Sequence, residues 1–570
     1  MNYLKYIGSF FKANSLSKEE MASQLLFLSK ESVNHIVLES RCGISTNYKN
    51  LKENFKKDEI SFFKNNTPLI CIYKKAKPNI YSSKYSKTWD DTTFKKDIPV
   101  SSNALMTLSL LRLCSYYEKF KNINSALYKR AAFYKNLSKL QLEFYYTYLR
   151  NPEGFFVNKK NDESSSKSGL NISEKEDEIS YSDQALMMLA YYMYSKVAPE
   201  DSDSKTYEDF ALQILNMFVN FKEELYLLSL DECCKIDYCL NNMLLYSNNE
   251  DCKLLVLDLS DFILNKYYES NSTFSNLETT SLLALNMYLS YKNTNILIFK
   301  DAYLDLIELF CNMFNDEKGV ILKGTDKKEY KYSNMEICLY LTNLLMSFDL
   351  DEDSSDKREN IISKVYKNYI VNSGIVTSFP DAPNLDSHER YKKFSLKPDD
   401  LIDESMFRMT NANSPELTGL APIFTKNLKY STKKSIFTSD KTTFDSTKNM
   451  FIFFVFINSF IDKYIDFITD TPKEKKSAML VEEIDSLKNV QKTNKLPKLN
   501  NFNSKTPIVP PDAGESDYNS ITNENQVDEI SPPPTNPNLT REISEYSDSS
   551  IDKKEDLDDK MKNILDFTDL

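Results

Sequence analysis

The chain has 570 residues, with 83 acidic and 71 basic side chains; it is too long for one small core, and its net charge of -12 excludes a generally basic nucleic-acid binder. With 9 glycines, 2 histidines and 1 tryptophan it lacks the material for Gly-rich phosphate loops, His-built metal sites and Trp-lined sugar clefts. The charge is uneven: residues 501–570 hold 16 acidic and 6 basic side chains, so a nearly neutral body carries an acidic tail.

Residues 1–97 are the least regular part. The first twenty residues have a short apolar patch at 6–11 but no long apolar stretch and no small-residue cleavage site, so no secretion signal is expected. Lys18–Leu38 reads as one helix, with Met21, Leu25, Leu28 and Val33 on a rough stripe and His35 as a packed or surface residue. Residues 67–73 (TPLICIY) read as a strand or a buried extended segment. The only tryptophan follows, in Lys87-Thr88-Trp89-Asp90-Asp91.

From 98 to 379 two kinds of helix alternate. The first is apolar almost all round: Asn103–Tyr117, Asp183–Ser195, a weaker Asp237–Tyr246, Thr279–Tyr291 and Met335–Phe348. A helix of this kind must be surrounded by other helices. The second is amphipathic: Tyr128–Leu149, Tyr207–Glu224, Lys253–Tyr268, Lys300–Phe314 and Arg358–Ile370. Five pairs result, at 98–160, 180–230, 235–275, 276–324 and 332–379. A sixth is assembled from 401–410 and the Phe-rich helix 446–468. Three of the nine glycines, Gly154, Gly319 and Gly374, fall at one point of the repeat, just past the second helix and before a short extended segment (EGFFV, KGVIL, SGIVT). Glycine takes positive φ there without steric cost. The starts of the apolar helices repeat too, as Ser180-x-x-Asp183, Ser275-x-x-Glu278 and Ser333-x-x-Glu336; the latter two fit a capping box.

Residues 380–445, with five prolines, read as a lid over one end of the body. The run Met450–Ile457 (MFIFFVFI) is too short to span a bilayer core and reads as a buried helix. Met479, Leu480, Ile484, Leu487 and Val490 suggest a short helix at 469–493. Residues 494–570 hold 8 of the 19 prolines and are read as disordered. At their end, Leu557, Met561, Ile564 and Leu565 fall at i, i+4, i+7 and i+8, a short amphipathic motif suited to a partner's groove.

The alternation of inner apolar and outer amphipathic helices over 98–468, with the turn-strand elements, resembles the α/α-toroid, the six-hairpin barrel of many glycosidases, polysaccharide lyases and sugar epimerases. The expected fold is all-α: an α/α-toroid, with an open α-solenoid as the rival. The resemblance implies acids at the mouth made by the inner-helix N-termini, where two carboxylates act on a glycosidic bond. The positional candidates are Asp90, Asp91, Asp183, Glu278 and Glu336, with Trp89 as a sugar-stacking residue and His388 as a base. Several also have a plain reading: helix caps for Asp183, Glu278 and Glu336, a solvated loop for His388. The scarcity of His departs from the toroid epimerases and lyases and puts sugar isomerisation in doubt.

Nine cysteines at irregular spacing, several within apolar runs, read as buried reduced thiols of a cytoplasmic protein. No metal site, cofactor, nucleic-acid partner or transmembrane segment is predicted. Two functions from different classes stand: an interaction or scaffold protein with a non-catalytic toroid body and a partner-docking tail, and a carbohydrate-active toroid hydrolase using paired carboxylates.

Overall fold

A computed structural model of the chain describes residues 18–46, 66–82, 87–162, 171–175, 179–269, 276–324, 327–351, 355–380, 419–440 and 442–469. The helices, in chain order, are α1 (Lys18–Leu38), α2 (Val100–Glu118), α3 (Ser125–Tyr148), α4 (Tyr181–Val197), α5 (Ser204–Asn220), the single turn α6 (Lys222–Leu225), α7 (Leu230–Leu244), α8 (Glu250–Glu269), α9 (Leu277–Thr294), α10 (Leu297–Met313), α11 (Asn334–Met346), α12 (Ser355–Val365) and α13 (Ser446–Thr469). The last residues of α12 run on into a π-turn, Tyr366–Val371.

The six helices that are apolar all round form a closed ring. α2 packs on α4, α4 on α7, α7 on α9, α9 on α11, α11 on α13, and α13 returns to α2. Closure distinguishes a toroid from an open solenoid, so the fold is the all-α toroid expected. The amphipathic helices lie outside, with α3, α5, α8, α10 and α12 each packed on the inner helix before it.

The sixth pair is built differently from expectation. The outer helix against α13 is α1, which also touches α2 and so covers the seam where the ring closes. The proposed partner at 401–410 lies outside the described residues, as do 469–493 beyond Thr469, the tail and most of the lid. The N-terminal region therefore supplies part of the barrel. The physical reason is the burial of α1: Met21, Leu25, Leu28, Val33, Ile36 and Val37 are all sequestered, more than one stripe of a surface helix would be.

Most of the inner surface is held by dispersion and burial, but its polar side chains set the register. Asn286 of α9 donates to the Cys234 carbonyl of α7 at 2.7 Å, and Asn343 of α11 donates to the Ser281 carbonyl of α9 at 2.8 Å. Tyrosine hydroxyls tie outer helices to inner ones: Tyr191 to the Leu142 carbonyl, Tyr303 to that of Asn343 and Tyr340 to that of Phe310. Each such bond contributes only about 1 kcal/mol net. Sliding a helix by one turn would leave these groups buried without partners, which costs more.

Every strand among the described residues falls in a connection from an outer helix to the next inner one, so the β elements gather at the end of the barrel where inner helices begin. They include two three-stranded antiparallel sheets, 97–98/159–161/172–174 and 329–333/427–431/436–439. Gly154, Gly319 and Gly374 have φ of 92°, 64° and 77°, as the repeat required. A Cβ on Gly319 would stand 2.5 Å from Asn368 Nδ2. All nine cysteines are free and buried. No helix among the described residues is long and apolar enough to cross a membrane.

Candidate functional site

The N-termini of the six inner helices converge and are linked side chain to side chain. Between α13 and α2, Ser446 Oγ donates to Ser102 Oγ at 2.8 Å, and Thr447 lies 2.9 Å from Ser102. Between α2 and α4, the Asp183 carboxyl meets the backbone N–H and hydroxyl of Ser101. Between α4 and α7, Glu232 Oε1 accepts from Ser180 Oγ at 2.9 Å and from the Ser182 N–H at 2.8 Å. Between α7 and α9, Thr279 Oγ1 stands 3.5 Å from Asp231. Between α9 and α11, Ser333 Oγ donates to Glu278 Oε2 at 2.6 Å. Lys448 of α13 reaches Glu278 from the next position but one, at 3.6 Å.

The mouth therefore gathers three of the five acids singled out by sequence, Asp183, Glu278 and Glu336, each in the first turn of an inner helix. Their roles differ. Glu336 completes a capping box with Ser333: its Oε2 accepts from the Ser333 N–H at 2.7 Å, while Ser333 Oγ accepts from the Glu336 N–H. Both of its oxygens also take the Lys323 ammonium, at 2.9 and 2.8 Å. The cap expected of Ser275 is made by its neighbour, since Asn276 is the residue whose side chain accepts from the Thr279 N–H. Glu278 instead ties α9 to α11. Asp183 has its N–H capped by Ser180 and its carboxyl buried; burial, and then the nearby Glu232, push its pKa up to about 7. Lys235 faces the same cluster. Burial opposes its charge, but Asp231, then Glu232 and Glu278, hold its ammonium above the ordinary value.

Asp231, Glu232, Lys235, Lys323 and Lys448 were not singled out by sequence. One signal was present: Ser229-x-x-Glu232 repeats the capping pattern of the other helix starts, and Ser229 does accept from the Glu232 N–H. Replacing Ser333 by alanine removes a cap and the Glu278 tie together. The expected loss is about 1–2 kcal/mol, read as a lower urea midpoint, with threonine restoring most of it; an unchanged midpoint would mean that the ring of ties adds no stability.

Below the mouth the axis is filled. α7 and α13 stand opposite each other in the ring, yet their side chains meet across it. The Tyr238 ring lies 5.9 Å from Phe451 and 6.2 Å from Phe454, and Asn458 Nδ2 donates to Asn242 Oδ1 at 2.6 Å. Arg112 of α2 closes the far end, paired with Asp462 at 3.0 Å and over the Tyr246 ring.

Asp90 and Asp91 are not part of the mouth. Asp90 caps a 3-10 turn, accepting from the N–H and hydroxyl of Thr92 at 3.1 and 2.6 Å. Both acids line a separate cleft of about 860 Å³ with Arg41, Tyr73, Tyr81 and Phe94. Trp89 borders this cleft but is 3% exposed. Its indole N–H donates to His35 Nε2 at 2.9 Å, and its ring packs edge-on against Phe444. A sugar-stacking residue needs an open ring face, and this indole has none. His388 and the motif residues Leu557, Met561, Ile564 and Leu565 lie outside the described residues.

No family model matches the chain, and no curated protein matches it. Among solved structures, the cellobiose 2-epimerase of Bacillus thermoamylovorans B4167 is similar to it, with a TM-score of 0.33 and 10% identity, over 46% of this chain and 74% of that one.

Proposed function

We propose that the chain is a cytoplasmic interaction protein: a non-catalytic toroid body with a partner-docking tail. The observation that carries this reading is how the mouth carboxylates are used. Glu336 is a cap and an ion-pair partner, Glu232 caps α4 from a neighbouring helix, and Glu278 ties two helices together. Beneath them Tyr238, Phe451 and Phe454 occupy the axis that a substrate would enter. The nine free buried thiols are consistent with a reducing compartment. Affinity capture from native extract with the full chain and with Leu557→Asp/Ile564→Asp tests the tail. A partner lost with the substitutions supports the reading; capture of the same set by both chains removes the tail from it.

One observation favours the second reading, a glycoside-hydrolase-like enzyme. Asp183, raised to about 7, lies beside Glu232, and a protonated acid next to a second carboxylate is the pairing glycoside hydrolysis needs. Asp183→Asn separates the readings. Turnover of any member of a glycan and glycoside panel by the wild-type chain, cut by about 100-fold or more in the variant, would establish the enzyme. Absence of turnover in both, with the variant still folded, is the expected result.

A further inference from the structure

We infer that the terminal segment 556–570 docks on the chain's own body, on an apolar patch at the end of the barrel opposite the mouth; this rests on the reading of that segment as a docking motif. The patch consists of Leu245, Leu254, Ile296, Leu297 and Ile298, each between 37% and 64% exposed. It is one surface. Asn293, near the end of α9, donates to the Asn241 carbonyl at 2.9 Å, and the Leu245 N–H bonds the same carbonyl. The start of α8 is held there by Cys252, whose Sγ donates to the Leu240 carbonyl at 3.6 Å. Three large aliphatic residues in succession at an open helix start are not accounted for by core packing.

The path of the chain identifies the occupant. α13 runs parallel to α7 and α9 and reaches the same end of the barrel: Asn458 bonds Asn242, and Lys463 pairs at 2.6 Å with Asp349 in the turn after α11. The chain leaves α13 at Thr469 on this face, and residues 470–570 follow. As a coil, a spacer of about 90 residues spans about 50 Å. That is enough to bring Leu557, Met561, Ile564 and Leu565 back to the end from which the chain departed. Four apolar side chains make a weak ligand in trans. Tethered, they act at an effective concentration that approaches millimolar, which a second copy or a free peptide does not match at cellular levels.

Hydrogen exchange on the full-length chain tests this. The comparison is wild type against full-length Leu557→Asp/Ile564→Asp, whose substitutions change none of the barrel's own residues. Amides in 245–254 and 292–300 are expected to exchange about threefold or more faster in the variant. Amides in 221–228, beside the exposed Phe221 and Leu227 at the mouth end, serve as the reference and should not change. Leu297→Asp with an intact tail should show the same release at 245–254. Equal exchange in wild type and the tail variant overturns the inference. So does protection that fades on dilution, which would make the occupant a second copy. If the tail variant loses an extract partner while exchange is unchanged, docking in cis fails and the interaction reading stands; if neither changes, both fail.

Discussion

Truncating Phe454 to alanine is expected to cost about 3–5 kcal/mol, the range for removing a buried aromatic side chain. Phe454 is fully buried in the middle of α13, where its ring meets Tyr238 near perpendicular, at 81°, from the far side of the ring of helices. The cost depends on how well the site can collapse. Here each inner helix is fixed by its two ring neighbours and by an outer helix, and the N-termini are tied by Ser102, Asp183, Glu232 and Glu278. No helix can move inward without stretching those ties, so the cavity should stay open and the loss should fall high in the range. Phe454→Leu keeps most of the apolar volume and should recover more than half of it. The measurement is the urea or thermal midpoint of the three chains. A loss for Phe454→Ala below about 1 kcal/mol would mean that the axis is not packed as described, and that Tyr238, Phe451 and Phe454 do not bar a substrate from it.

The barrel was largely legible in the sequence because its inner helices have no polar face. Runs such as DQALMMLAYYMYS leave no side to turn to water, and five of them at similar spacing imply a ring or a stack. The three glycines with positive φ marked the same turn in three repeats. What could not be read was which helix completes the sixth pair. α1 and α13 are separated by the whole of the barrel, and no local pattern says that Lys18–Leu38 belongs with Ser446–Thr469; only the excess of buried positions on α1 hints that it faces more than one neighbour. The mouth was half legible for a related reason. Asp183, Glu278 and Glu336 stand at helix starts and share a motif, whereas Lys323 comes from the turn before a sheet and Lys448 from the helix that closes the ring. Their meeting is a property of closure. Trp89 shows the opposite error: a lone tryptophan beside two acids suggested a sugar platform, but residues distant in sequence, His35 and Phe444, claim its N–H and its ring.

Asp237→Asn should stabilise the protein, and by an amount that depends on pH. Asp237 lies on α7 and is fully buried; its partner is Ser260 of α8, at 3.1 and 3.3 Å. Ser260 in turn meets Ser290 of α9 at 2.7 Å, which Asn241 also bonds. Among the described residues no cation pairs with the Asp237 carboxyl, and burial pushes its pKa up to about 8 against the opposing Ser260 hydroxyl. The sign follows from linkage. The unfolded carboxyl titrates near 4 and the folded one near 8, so folding binds a proton between those values. The contribution of the protonated form is therefore complete below pH 4 and is lost as the pH rises to about 8. Asparagine has the same shape, can donate to Ser260 and carries no proton to lose. The stability gap between Asp237→Asn and wild type should be near zero at pH 4, open steadily to pH 8 and then level off at a few kcal/mol, since each tenfold change in proton affinity on folding is worth about 1.4 kcal/mol. Asp183→Asn should behave alike but level off nearer pH 7, and by less, because Ser101 and Lys235 already favour its charged form. Urea midpoints at pH 4, 6 and 8 are the measurement. A gap that is the same at all three would mean that Asp237 titrates normally in the fold, and that the layer between α7, α8 and α9 is open to water.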